Sequence, residues 1–334
     1  MLNNLGCTFY TIKDNKFLNS FSPTPMLMLS SDYNHTFASS VHKEYRKSVV
    51  GAIGESFERH SMFMYTSAWL SSIIECFDLY EKKIVTLEND SNLQKFFNDS
   101  CGMASHTNSR ECFLNAFDEF IERQSFILTY LSKSPRRVIK KNKSFLDRIP
   151  SRFHHLNFYE ISIIDSYKVY FAIGYKNNYL DIGLGSSYDA TGALEKLIRE
   201  LSLPNIEHGS LEWSNNTYQD YLHIFHMISP DRILQAYNFL NLGEEIEFRT
   251  IEKVGFDIIL EELNKKYKMR PKALSLFNKN YDYSISSYSK NIKIFDENWF
   301  PSLSVSQFTD SIYDRVELLS GMKLDRNINF IPFP

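Results

Sequence analysis

The segments Glu55-Ser56-Phe57-Glu58-Arg59-His60-Ser61 and Glu119-Phe120-Ile121-Glu122-Arg123-Gln124-Ser125 carry one pattern, Glu-x-x-Glu-Arg-x-Ser, at a constant offset along the chain. Helical apolar spacing surrounds both, with Val49, Ile53 and Phe57 in the first and Phe113, Phe117 and Phe120 in the second. Each copy is therefore predicted on an amphipathic helix. Positions i, i+3 and i+4 share a helix face, so each helix presents two carboxylates and a guanidinium together. Glu111 extends the second acidic face. One such face alone reads as an ordinary solvated surface, and Asn108-x-x-Glu111 alone as a capping box. Two faces of the same design suit a shared hard cation, because carboxylates with water and phosphate oxygens are the ligands Mg²⁺ prefers. Glu55, Glu58, Glu111, Glu119 and Glu122 are the candidate ligands. Arg59 and Arg123 beside them have the bidentate fork that grips phosphate. Together these are the parts of an ATP–Mg²⁺ site.

Outward from the repeat, helices are predicted at about residues 47–65, 109–131 and 190–203. The apolar run 61–77, interrupted by Glu75, reads as a buried helix too short to span a bilayer. Residues 158–164 and 168–175 are β-branched and aromatic and read as an antiparallel hairpin. A strand at 179–182 then leads through Gly183-Leu184-Gly185-Ser186-Ser187, read as a loop that places amides at the start of the third helix. Gly102 to Asn108 reads the same way before the second helix. Further helices are expected over 218–240, broken near Ser229-Pro230, and over 244–266, and extended chain over 281–295. Helices mixed with hairpins predict an α+β fold, with mixed or antiparallel sheets layered against helices. No linker-like composition divides the chain, so residues 1–334 are read as one domain, with a basic connector at about 132–152 between Pro135 and Pro150.

Composition excludes several functions. Lys+Arg 37 against Asp+Glu 40 leaves a net charge of −3, which provides no global field for nucleic acid or an anionic membrane. The four cysteines form no C-x-x-C pair, and the start has no basic-then-apolar signal, so a reducing cytoplasm is expected. There is no G-x-x-x-x-G-K-[ST] loop and no kinase motif pair. His223-x-x-His226 lacks a third ligand of obvious type.

The segment Gly51 to Arg59, the segment Asn108 to Arg123, the stretch Gly183 to Glu200 and the terminal Pro332-Phe333-Pro334 together resemble the YcaO proteins, which use ATP to activate peptide amides. The resemblance is greatest to the cyclodehydratase subunit of azole-forming microcin synthetases. It implies the YcaO fold with an internal pseudo-repeat. It also implies Mg²⁺ or nucleotide on Glu55, Glu58, Glu111, Glu119 and Glu122, and phosphate on Arg123. Glu200 matches the glutamate of the third motif, with Leu203 where the family often has Gln. Thr107, with Asn108 beside it, stands at a family asparagine. Ser40, Lys43 and Lys47 substitute for a missing Gly-Lys-Gly, and the Pro334 carboxylate is the implied base. The reaction implied is cyclodehydration of Cys, Ser or Thr in a ribosomally made precursor peptide to thiazoline or oxazoline, by phosphorylation of the amide oxygen. The implied partners are that peptide, a leader-binding peptide-clamp subunit like a ubiquitin-activating enzyme, and an FMN-dependent azoline dehydrogenase. Thioamide or macroamidine formation, and a catalytically inactive scaffold, are the alternatives.

Overall fold

Helix α3 (Ser109–Ser132) is buried on nearly every side from Phe120 to Leu131, as a helix between two sheets must be. The computed structural model that places it describes residues 10–14, 17–23, 37–42, 44–67, 73–140, 155–176, 179–201, 224–225, 227–248, 253–276 and 290–333. Asn108 starts α3 by accepting the Arg110 and Glu111 amides at 2.9 and 3.2 Å, and Lys133, left-handed at φ 48°, ends it.

Strands β1 (Tyr10–Asp14), β2 (Phe17–Pro23) and β3 (Phe37–His42) form an antiparallel meander that leads to α1 (Tyr45–Ser67). The second sheet has the order β5-β4-β12-β13-β6, antiparallel throughout. Its strands are β4 (Ile73–Asp78), β5 (Lys83–Glu88), β6 (Met103–His106), β12 (Lys272–Ser275) and β13 (Lys290–Phe295). Between β5 and β6 lie the short helix α2 (Ser91–Gln94) and a 3₁₀ turn, Lys95–Phe97. The third sheet runs β10-β9-β8-β7-β11, from β7 (Arg137–Lys140), β8 (His155–Glu160), β9 (Lys168–Lys176), β10 (Tyr179–Ser187) and β11 (Glu245–Glu247). Only β7 and β11 pair in parallel in this sheet.

Alternation along β9 explains the layering. Val169, Phe171 and Ile173 face the core around α3, while Tyr170 and Ala172 face α4 (Ala190–Glu200) through Ala193, Leu194 and Leu197. The second sheet covers the other side of α3 through β6 and β13, and packs its far face on Leu93, Phe96 and Phe97. The layers are thus helix, sheet, α3, sheet, helix. Gln124, buried in the middle of α3, donates to the Phe300 carbonyl at 2.9 Å and accepts its amide at 3.2 Å, which satisfies its side-chain amide. The α+β architecture with mixed and antiparallel sheets agrees with the sequence.

Several local expectations are corrected. Gly183 to Ser187 is not a loop but the second half of β10, paired with β9 from Gly183↔Ala172 to Ser187↔Lys168. Its glycines serve helix approach: a Cβ on Gly185 would lie 2.3 Å from the Ala193 carbonyl and 2.4 Å from the Leu197 nitrogen. Gly102 to Asn108 is mostly β6, entered through Gly102 at φ +72°. The apolar run 61–77 is split: α1 ends at Ser67, and Ile73–Asp78 alternates exposed and buried as β4, so the period is two. Arg137–Lys140, read as connector, is strand β7, where Arg137 pairs with Glu160 at 3.0 Å. The helix expected over 244–266 begins only at Phe256, because Glu245–Glu247 is taken by β11; it is α6 (Phe256–Tyr267). Part of the helix expected over 218–240 lies outside the described residues; the break expected near Ser229-Pro230 agrees with the structure, where Ser229 is the N-cap of α5 (Pro230–Ala236), followed by a 3₁₀ turn, Asn238–Leu242. The C-terminal helix is α7 (Asp310–Ser320).

Candidate active site

Helices α3 and α4 lie on opposite faces of the third sheet and meet around its edge strand, β10. The two glycines let α4 lie close enough for Glu200 to reach that edge, where its Oε2 accepts the Leu184 amide at 2.8 Å. From the other side, the Ser186 hydroxyl donates to the Asp118 carbonyl on α3 at 2.7 Å. Lys196, one turn before Glu200, donates to the Asp118 carboxylate, as does the Tyr167 hydroxyl.

Beyond that ladder sits a compact charge cluster. Arg123 Nη2 lies 3.6 Å from Glu119, and its Nε lies 4.0 Å from Glu122; these contacts are too long for hydrogen bonds. The Arg123 side chain is 14% exposed, yet its Nε and Nη1 are buried without a hydrogen-bond partner. Glu200 interacts electrostatically with both Glu122 and Arg123. Burial drives the Glu119, Glu122 and Glu200 carboxyls up from the ordinary range, the Arg123 charge opposing it in each case. Burial likewise raises Asp118 to about 6 against the pull of Lys196. Lys293 of β13 is fully buried nearby, with its Nζ on the Asp99 carbonyl at 3.1 Å and its charge felt by Glu119.

Helix α1 joins this region through the second sheet. It packs on β6, as α3 does, with Gly54 against the Ser105 carbonyl. Glu55 and Glu58 are half-buried, and the Glu58 charge reaches Cys112 near the start of α3. Glu111 is exposed in the first turn of α3, about 12 Å along the axis from Glu119. Thr107 and Asn108 are exposed, and the Asn108 side chain is engaged in capping. Ser40 lies against Gly51, where a Cβ would come 2.2 Å from its Oγ. Lys47 is an exposed surface residue paired with Glu44 at 2.6 Å. The side chain of Arg59, and Lys43, Leu203, His223, His226 and Pro334, lie outside the described residues. Glu119, Glu122, Arg123 and Glu200 are thus gathered in one cluster, whereas Lys47, Thr107 and Glu111 sit at the surface.

Sequence reasoning missed Asp118, Lys196, Ser186 and Lys293. Lys196 and Glu200 stand four apart on one helix face, a spacing that was available as a signal; Asp118 was masked by its neighbour Glu119.

The cluster fits Mg²⁺ with a polyphosphate. Three carboxylates, Glu122 buried and Glu119 and Glu200 partly so, outnumber one guanidinium, and the Arg123 donors without a hydrogen-bond partner want an anionic acceptor. Among the described residues no three His, Cys, Asp or Glu side chains already close into a metal cage.

Residues 79–266 match the sequence profile of a family described as YcaO cyclodehydratase, ATP- and Mg²⁺-binding. The chain belongs to the YcaO family. As a YcaO protein it is an ATP-dependent cyclodehydratase with ATP and Mg²⁺ as cofactors. No curated protein sequence matches it. Among solved structures it is similar to the Escherichia coli microcin synthetase McbBCD complex, at 16% identity and TM-score 0.68 over 98% of this chain and 96% of that one. YcaO from Methanopyrus kandleri, bound with AMPPCP and Mg²⁺, matches at 11% identity and TM-score 0.65 over 89% of this chain and 86% of that one. A heterocyclase in complex with substrate and cofactor matches at 12% identity and TM-score 0.64 over 93% of this chain and 51% of that one. These likenesses carry the fold.

Proposed function

We propose that this YcaO protein converts Cys, Ser or Thr of a ribosomally synthesised precursor peptide to thiazoline or oxazoline. The side-chain nucleophile adds to the preceding carbonyl, and the resulting oxygen takes the γ-phosphoryl group of ATP. Phosphate then leaves as the C=N bond forms, so one ATP and one amide yield one ring, ADP and phosphate. The observation that carries this reading is the partly buried Glu119/Glu122/Glu200 cluster around the Arg123 donors that lack a hydrogen-bond partner. When bound, Mg²⁺ neutralises charge on the transferring phosphoryl group. Glu55, Glu58, Glu111, Glu119 and Glu122 hold the ions and nucleotide, Glu200 orients from the β10 edge, and Arg123 and Arg59 take phosphate oxygens. Ser40, Lys47, Thr107 and Asn108 complete the nucleotide contacts. For Lys47 this requires release of Glu44. The Pro334 carboxylate removes the proton, at the end of a tail whose Phe333 ring packs on Arg123.

The chain works in a heterocyclase complex with a leader-binding peptide-clamp subunit and an FMN-dependent azoline dehydrogenase, without nucleic acid or membrane. The similarity to the McbBCD complex supports this arrangement. Unbridged Cys76, Cys101 and Cys112 support a reducing cytoplasm. Among the described residues no helix is long and apolar enough to cross a membrane. The test is reconstitution with ATP, Mg²⁺, precursor and both partners. The expected result is phosphate release with loss of one water mass per ring. Full phosphate release without mass loss, or sulfur-for-oxygen exchange, would overturn the cyclodehydration reading.

A further inference from the structure

Arg123 and Phe333 are far apart in sequence and in contact in the fold. The guanidinium carbon lies 4.7 Å from the centre of the Phe333 ring. That ring is buried, 5.0 Å from Phe126. The tail leading to it is pinned in two further ways. Ile331 is fully buried, and the Pro332 carbonyl accepts the Tyr237 hydroxyl at 2.6 Å. Tyr237 is itself wedged among Phe126, Tyr130 and Phe171, so the donor has little freedom.

The guanidinium is therefore used on one face and open along part of its edge. Nη2 turns toward Glu119 and Nε lies 4.0 Å from Glu122, too far for a hydrogen bond, so Nε and Nη1 are buried without a hydrogen-bond partner. Buried donors without acceptors are costly, and a structure keeps them where a ligand supplies the acceptor. A planar fork held by its face, with in-plane donors that make no hydrogen bond, complements phosphate oxygens. A cation over an aromatic face is attracted by the ring quadrupole, and that attraction orients the plane as well as binding it.

We propose that Phe333 is a positioning residue for the nucleotide: its ring holds Arg123 so that Nε and Nη1 face the phosphate oxygens, and Tyr237 fixes the tail that carries the ring. This rests on the reading of Arg123 as a phosphate-gripping residue. It has a reciprocal consequence, since phosphate on Arg123 favours the docked tail by the same factor as the docked tail favours phosphate.

The test is calorimetric titration of the full chain with AMPPCP in excess Mg²⁺, paired with thermal unfolding without nucleotide. Phe333→Leu keeps a buried apolar side chain but removes the π face. It is expected to weaken nucleotide binding about tenfold, with a smaller effect on unfolding than on affinity, and Phe333→Trp is expected to restore the affinity. Tyr237→Phe should weaken binding a few-fold in the same direction. Arg123→Gln separates the two layers of the argument. If Arg123→Gln binds nucleotide like the wild type, the reading of the site fails. If Arg123→Gln loses binding while Phe333→Leu retains wild-type affinity, only the positioning role is overturned. Where Phe333→Leu does not fold, Tyr237→Phe carries the test, and undiminished affinity there overturns the proposal.

Discussion

Glu200 caps the open edge of β10 by accepting the Leu184 amide at 2.8 Å, while its charge is shared with Glu122 and Arg123. One carboxylate thus closes a sheet edge and contributes to the acidic cluster. Its two roles separate by substitution. Glu200→Gln retains an acceptor for the Leu184 amide, so thermal stability should stay near the wild type while Mg²⁺-dependent nucleotide affinity falls. Glu200→Ala leaves the amide without that acceptor and should cost a further 1–3 kcal/mol, roughly the penalty for an unmet buried donor. Equal stability of the two variants in denaturant titration would show that the edge bond carries no weight.

Gly185 should tolerate no side chain. A Cβ would sit 2.3 Å from the Ala193 carbonyl, a backbone atom that moves only if α4 moves. Gly185→Ala is expected to destabilise by about 1–3 kcal/mol, the usual range for overpacking. It should also lower nucleotide affinity, since α4 carries Glu200 and Lys196. Gly255, with open space around it at the N-cap of α6, is the control for affinity: Gly255→Ala should leave nucleotide binding unchanged.

Asp296 gives the stability a pH dependence of definite sign. It is fully buried, accepts the Arg270 and Asn298 amides at 2.6 and 2.9 Å, and burial pushes its pKa up to about 6 from 3.8. A carboxyl raised on folding stabilises the fold fully below its unfolded value, and this contribution disappears as pH rises through the folded value. Asp296 should therefore contribute a loss of up to about 3 kcal/mol between pH 4 and pH 7. In urea unfolding across that range, Asp296→Asn should show a flatter profile than the wild type. Parallel profiles would remove the assignment.

The buried thiols should be inert in the folded protein. Cys76 and Cys112 are 3% and 0% exposed, and burial pushes both pKa values up to about 11. Cys101 is raised as well, chiefly by burial. In a Cys7→Ser/Cys101→Ser background, maleimide at pH 7.5 should label neither Cys76 nor Cys112 before denaturant is added. Rapid stoichiometric labelling of the native chain would contradict the packing described for β4 and α3.

Much of this was legible from residue order. The Glu-x-x-Glu-Arg-x-Ser repeat predicted two acidic helices, and α1 and α3 carry them. The hairpin β8–β9 and the start of α4 followed from apolar periodicity; the structure adds the cap, Asp189, which accepts the Thr191 amide at 3.0 Å. Where reading failed, short-range pattern was ambiguous. Gly183 to Ser187 looked like a loop because glycine and serine are turn formers. In the fold the same glycines are places where a helix backbone touches a strand. The 61–77 run looked like one helix because most of its residues are apolar, and composition does not distinguish a period of 3.6 from one of 2.

Local periodicity and residue type, which depend only on covalent neighbours, determined by themselves that this chain has acidic helices suited to a cation and phosphate. Which carboxylates share a guanidinium was decided only by tertiary structure. Glu111 and Glu119 are on one helix, yet only the latter is gathered with Arg123; Glu200 and Phe333 come from distant segments. The physical reason is that burial sets the strength of a charge interaction. Burial at Arg123 is created by two sheets closing over α3, by α4 lying against two glycines, and by a tail pinned through Tyr237.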